Sequence, residues 1–411
     1  MQRVSLIIGI VIAVIALIVA IYFIFFRPGG PGLEAEPGNQ FGEAGDFGGN
    51  PTGEGSVDFS DAVPETVAPR LVRITEGPVA YGVAMPIVLR EPEPSATAST
   101  TGEAPALTPV VEVRYVERKS GHAYAYDTKG NDITRITNRT LPGIVEAAWA
   151  GDASTAFLRF LPEGADDIST YALPLNGGEE ASGYLLEPGL DDVITMGSST
   201  VITLLPSSDG SIATAARVDG ASPRTIFSSV LSSLRLFVSG VNLVAVTKAS
   251  SQMDGYAFFV DAKTGIFERA LGPLRGLTVL PSPTGASVLF GYLSGNAAKA
   301  ELLDATTREK TLIPLAALPE KCVWARDERS LYCAVPRSLG TGWPDEWYQG
   351  VASYSDRFWR IDLEARVASL VLDPATVADV AIDGVSLAID EQSDYLVFTN
   401  KKDGSLWAYD L

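Results

Sequence analysis

The chain has 411 residues and a formal charge of −19 at pH 7, with 31 Lys and Arg against 50 Asp and Glu. So acidic a surface repels phosphate backbones, which argues against nucleic-acid partners and leaves solubility, cation binding or a basic partner for the charge to serve. A single histidine, His122, excludes a histidine-rich zinc site, and any Ser-His-Asp triad has to use that residue, placed in a turn ahead of a strand.

The first element is Val4–Phe26, an apolar run without a charge. As a helix rising about 1.5 Å per residue it reaches roughly 35 Å, against a hydrocarbon core of about 30 Å. Tyr22, Phe23, Phe25 and Phe26 gather at its far end, as aromatic rings do at a membrane interface. A cleaved signal peptide has a shorter apolar region, about 7–15 residues, and ends at small residues. Here the run ends Phe25-Phe26-Arg27-Pro28, and no cysteine follows it as a lipidation site. The expectation is an uncleaved signal-anchor over residues 1–27, with residues 4–26 as the membrane contact. Arg3 and Arg27 nearly balance the flanking charge, but residues 28–69 hold no Lys or Arg, which favours a single-pass protein with its domain on the extracytoplasmic side.

Residues 28–69 are rich in glycine, proline and acids and lack an apolar period, so they read as a disordered tether. A second biased stretch, Glu91 to Thr108, reads as a surface loop.

From residue 70 onward the sequence repeats. An apolar or aromatic strand closes on Asp or Asn at Asp127, Asn176, Asp219, Asp261, Asp304, Asp362 and Asp410, a mean step of about 47 residues. Asp and Asn suit that place because their side chains accept hydrogen bonds from the amides of the following turn. Ahead of each closing strand comes a strand–turn–strand unit, as in Val279 to Phe290 and Leu387 to Val397. Strands of this number and spacing make four-stranded antiparallel blades, and the domain at 70–411 is expected to be all-β, a seven-bladed β-propeller. The last blade stops at Leu411 after its third strand. Arg70-Leu71-Val72-Arg73-Ile74-Thr75 echoes Ile133-Thr134-Arg135-Ile136-Thr137, a fourth strand, and is expected to close that blade.

Cys322 and Cys333 flank the turn Arg326-Asp327-Glu328-Arg329 symmetrically. A regular hairpin places them opposite each other, within disulfide reach, and a disulfide is preferred over two buried thiols. The long connection between Val335 and Arg357 carries Trp343, Trp347, Tyr348 and Tyr354. Such rings either anchor a partner or fold back to cap the channel or their own blade.

Ser282-Pro283-Thr284-Gly285 and Asp261-Ala262-Lys263-Thr264-Gly265 resemble the Ser-Pro-Asp-Gly opening and Asp-x-x-Thr-Gly closing of WD40-like bacterial propellers, the TolB-type group. The resemblance covers roughly residues 70–411 and implies a fold, not an activity. No blade ends in Trp-Asp, unlike eukaryotic-type WD40 repeats. The leading expectation for function is a non-enzymatic module binding a protein partner or a glycan in an envelope or secretion assembly, without cofactor. The alternative is a cell-surface propeller enzyme of glycan hydrolase or lyase type. It draws on Asp166-Asp167, Glu179-Glu180 or Asp191-Asp192, paired acids that also suit a solvated acidic surface. No sialidase box and no Asp-x-Asp-x-Asp-Gly calcium loop occurs, so no catalytic or metal residue is assigned.

Overall fold

A computed structural model describes residues 70–90, 107–176, 182–295, 297–340 and 342–411, all within one compact unit, Val67–Leu411. The expected anchor and tether, residues 91–106 of the biased stretch and the Glu179-Glu180 pair lie outside them. Among the described residues no helix is long and apolar enough to cross a membrane. Thr108, expected in a loop, opens the strand Thr108–Val116.

The described chain is a succession of antiparallel sheets in sequence order. The first holds Ile87–Arg90, Thr108–Val116, Ala123–Asp127 and Ile133–Arg135, and the second Ile144–Trp149, Thr155–Phe160, Ser169–Pro174 and Tyr184–Leu185. The third runs from Asp192–Met196 through Thr200–Ser207 and Gly210–Arg217 to Arg224–Ser229. A seven-stranded sheet follows: Leu234–Ser239, Asn242–Thr247, Asp254–Val260, Phe267–Pro281, Ser287–Ser294, Ala297–Asp304 and Lys310–Leu312. Its long strand Phe267–Pro281 serves twice. Phe267 to Arg275 pairs back with Asp254–Val260, and Thr278 to Pro281 pairs forward with Ser287–Ser294. Gly276, at φ 65°, sits between the two stretches, where the register shifts and a side chain would be strained. The fifth sheet holds Cys322–Trp324, Ser330–Pro336, Asp356–Asp362 and Val367–Leu372.

The closing sheet joins both ends of the domain. Gly384–Ile389, Tyr395–Asn400 and Leu406–Asp410 are completed by Leu71–Arg73, with Leu71 opposite Tyr409 and Arg73 opposite Trp407. The expected closing strand is therefore in place. It is extended by Ile74 N–H donating to the Leu406 carbonyl at 2.8 Å and Asp410 N–H donating to that of Arg70 at 2.9 Å.

The closing aspartates act as their chemistry requires. Asp261 Oδ1 accepts from the amides of Lys263 and Thr264 at 2.9 and 2.7 Å, and Asp304 Oδ1 from those of Thr306 and Thr307 at 2.9 and 2.7 Å. Asp127 and Asp362 do the same in their turns.

Apolar cores lie between successive sheets and, in the seven-stranded sheet, between its two halves, where Val244 and Leu271 meet Val279 and Phe290. Ala80, Val116 and Ile144 join the first sheet to the second, Phe157 and Val193 the second to the third, and Phe358 and Phe398 the fifth to the closing sheet. Val113 and Tyr126 meet Val397 and Leu406, which returns the closing sheet to the first. Second strands are consequently buried on both faces. Every residue of Thr155–Phe160 is buried, whereas all of Ile133–Arg135, a fourth strand, is exposed. Sequential four-stranded sheets that pack face to face and return to the first make a β-propeller.

Candidate functional site

A cavity of about 520 Å³ is lined by Glu146, Arg235, Cys322 and Leu387, from the first strands of four of the sheets, and by Leu280 of the long strand Phe267–Pro281, among others. A second cavity of about 330 Å³ adjoins it and shares Arg235, Phe237, Glu320 and Tyr348.

The mouth is covered by the long connection of the fifth sheet, residues 337–355, which carries the short helix Asp345–Tyr348. Four ties hold this strap down. Asp345 Oδ2 accepts from the Ser251 amide at 2.9 Å and from the Ser251 hydroxyl. The Tyr348 hydroxyl donates to Glu320, whose other oxygen lies 2.7 Å from Arg235. Trp347 Nε1 donates to both oxygens of Asp383 at 3.1 Å. Lys401 Nζ donates to the Trp347 carbonyl and sits 3.9 Å from the centroid of its ring.

Two of the four aromatic candidates are buried in this arrangement. Trp343 and Trp347 are 7% and 5% exposed and pack with Leu318 and Val385, with Tyr354 against Trp343. Both indoles are thus enclosed within the protein. Of the strap's large apolar groups, Leu339 is 38%, Tyr348 36% and Val351 74% exposed, with the Tyr348 hydroxyl turned in to Glu320.

Beneath the strap lies a charge cluster that sequence reasoning missed. The side chains of Lys321, Asp356 and Asp383 are 0% exposed. Lys321 Nζ pairs with Asp356 Oδ2 at 2.7 Å and with Asp383 Oδ1. With Lys401 the cluster holds two cations and two carboxylates, which is how buried charge is tolerated. Burial pushes the Asp356 carboxyl up from 3.8 to about 6, although Lys321 opposes the shift, and Oδ1 of Asp356 has no hydrogen-bond partner. Burial likewise lowers the Lys401 ammonium, with Asp383 opposing. One signal was available: Ala381-Ile382-Asp383-Gly384-Val385 sets an acid inside an apolar run, where it has to find a partner.

Cys322 and Cys333 are opposite in register and disulfide-bonded, with Cα atoms 4.0 Å apart, as the symmetric spacing implied. His122 stays in its turn, with Nε2 3.2 Å from the Thr140 hydroxyl. Asp166, Asp167 and Asp191 are exposed, while Asp192 is buried and accepts from the amides of Val193 and Leu236 at 2.9 and 2.8 Å. Among the described residues no group of three His, Cys, Asp or Glu side chains is arranged to hold a metal ion.

No protein-family model and no curated protein matches the chain. Solved structures do. TolB from Acinetobacter baumannii is 12% identical with a TM-score of 0.43, the match covering 70% of this chain and 62% of that one. An oligogalacturonate lyase in complex with manganese is 8% identical with a TM-score of 0.49, covering 81% and 98%. The β-propeller domain of Myceliophteria thermophila Cps50 (Swd1) is 9% identical with a TM-score of 0.47, covering 73% and 93%. At such identities the likeness concerns the fold.

Proposed function

We propose that residues 70–411 form a seven-bladed propeller, the seven-stranded sheet being two blades that share Phe267–Pro281, and that it works as a non-enzymatic binding module tethered outside the cytoplasm by residues 4–26. The observation that carries the binding reading is the fate of the acids. Among the described residues Asp166 and Asp167 are exposed, while Asp192, beside the exposed Asp191, is buried against backbone amides. The carboxylates at the channel mouth are committed to the protein's own groups, Glu320 to Arg235 and Tyr348, Asp345 to Ser251, and Asp383 to Lys321, Trp347 and Tyr354. A general acid–base pair needs a group free to meet substrate. The disulfide supports an oxidising compartment, since such bonds persist outside the reducing cytosol.

The binding surface is then the strap face, with Tyr348 and Val351 as its apolar contacts. Cross-linking on intact cells, followed by mass spectrometry of what the propeller captures, tests this reading. A protein partner enriched with the native chain and lost with Val351→Asp, at unchanged melting temperature, supports it. Cleavage of a cell-surface polysaccharide by the purified chain favours the enzyme reading instead. Protease added to intact cells should remove the propeller; full protection would place it inside.

A further inference from the structure

The cluster beneath the strap brings an amine against a carboxyl group with water shut out. Lys321, Asp356 and Asp383 have fully enclosed side chains, and the Lys321 amine touches both acids. The Trp347 ring, its centroid 5.0 Å from Lys321 Nζ, covers the site. The two acids are not equivalent. Asp383 accepts from Trp347 Nε1 and, at 3.0 Å, from the Tyr354 amide, donors placed to hold negative charge developing on a carboxyl oxygen. Asp356 accepts one amide, that of Gly384 at 2.7 Å, and its Oδ1 is buried without a partner, a position open to a proton. Lys321 Nζ is 2.7 Å from the other oxygen of Asp356, within proton-transfer reach.

We propose that Lys321 and Asp383 are joined by an intramolecular isopeptide bond, formed after folding with Asp356 as the proton carrier. One proton of the Lys321 ammonium passes by way of Asp356 to an Asp383 oxygen. The amine lone pair attacks Cγ of Asp383, and the resulting oxyanion is held by Trp347 Nε1–H and the Tyr354 amide. A second proton leaves the nitrogen through Asp356, and the C–O bond breaks to release water. One ammonium and one carboxylate become one amide and one water, with no change of oxidation state and no co-reactant. Asp356 and Lys401 remain as a balanced pair. The bond ties residues 62 apart, where the chain enters the fifth sheet and where it enters the closing sheet. It is a brace between neighbouring blades, set beside the disulfide that ties the first two strands of one of them.

The test is peptide mass spectrometry of the full chain, reduced and alkylated before trypsin so that the disulfide contributes no link. The expected result is no cleavage after Lys321. The peptide Thr311 to Arg326 should instead be recovered joined to Val367 to Lys401, lighter than the two together by one water. Recovery of free Thr311 to Lys321 in place of the linked species overturns the proposal. A link to Ser338 to Arg357, which contains Asp356, overturns the assigned roles. Asp356→Asn should restore cleavage after Lys321 in protein that keeps the native disulfide and β-sheet circular dichroism; persistence of the link in that variant overturns the role of Asp356.

Discussion

The strand Leu71–Arg73 is placed so that its loss should loosen two cores at once. Leu71 belongs to the core between the fifth and closing sheets, and Ile74, just beyond the strand, to the core between the closing sheet and the first. Both are nearly enclosed, at 7% and 6% exposed. Large-to-small substitution of such a residue costs about 2–5 kcal/mol, and a position on a terminal strand belongs near the low end, because the site can relax or rehydrate. We therefore expect about 2–3 kcal/mol for Leu71→Ala and for Ile74→Ala. With roughly 320 described residues the unfolding entropy near the midpoint is about 0.7 kcal/mol per kelvin, so each variant should melt about 3–4 °C lower. The double variant should lose less than the sum, because a strand that has already detached leaves nothing for the second substitution to remove. Circular dichroism melts give the midpoints, and tryptic cleavage after Arg73 reports release of the strand directly. Both single variants melting within about 1 °C of the native chain, with Arg73 still protected, would refute the idea that this strand locks the ring.

Removing the disulfide with Cys322→Ser and Cys333→Ser frees a loop whose ends are 11 residues apart, worth about 3 kcal/mol in the chain-entropy account, measurable as a lower denaturation midpoint. Alkylation of native protein before reduction should label neither thiol; labelling of both would show the bond absent in its own compartment. Trp347→Phe keeps a ring in the cap but deletes the donor to Asp383, and should cost about 1–3 kcal/mol, whereas Trp347→Ala should cost about 3–5 kcal/mol. A Trp347→Phe variant as stable as the native chain would mean that the indole N–H contributes nothing. Asp356 gives a pH signature whose sign follows from its raised value. Between about 4 and about 6 the folded carboxyl binds more proton than the unfolded one, so its contribution favours folding at the acid end and is lost as pH rises through about 6. Asp356→Asn should remove that fall from the stability–pH curve, and an unchanged curve would contradict the assignment.

The architecture was legible because a repeat reports itself many times. Seven closing residues at a near-constant step identified the third strand of each unit, and the side chain of Asp in that place has one evident task, which Asp127, Asp261, Asp304 and Asp362 perform. The cysteine pair was legible for a related reason: a symmetric spacing about a short turn is a statement about register, and register in a hairpin is local. The strap was not legible to the same degree. Trp343, Trp347 and Tyr354 offered two readings, since a ring that anchors a partner and a ring that plugs a channel have the same composition and the same loop around them. The contact that encloses Trp347 comes from Asp383, 36 residues further along the chain, whose oxygens take the indole N–H. Lys321 and Asp356 are likewise brought together by the pairing of the fifth sheet, from positions 35 residues apart in the chain. A charge cluster assembled from three connections leaves almost no trace in any one of them, because each charge taken alone looks like the solvated surface of a protein with 50 acids. Only the packing of the fifth sheet against the closing sheet turns those ordinary residues into an enclosed site, where an amine, two carboxyls and an indole meet and the Tyr354 and Gly384 amides complete their hydrogen bonds.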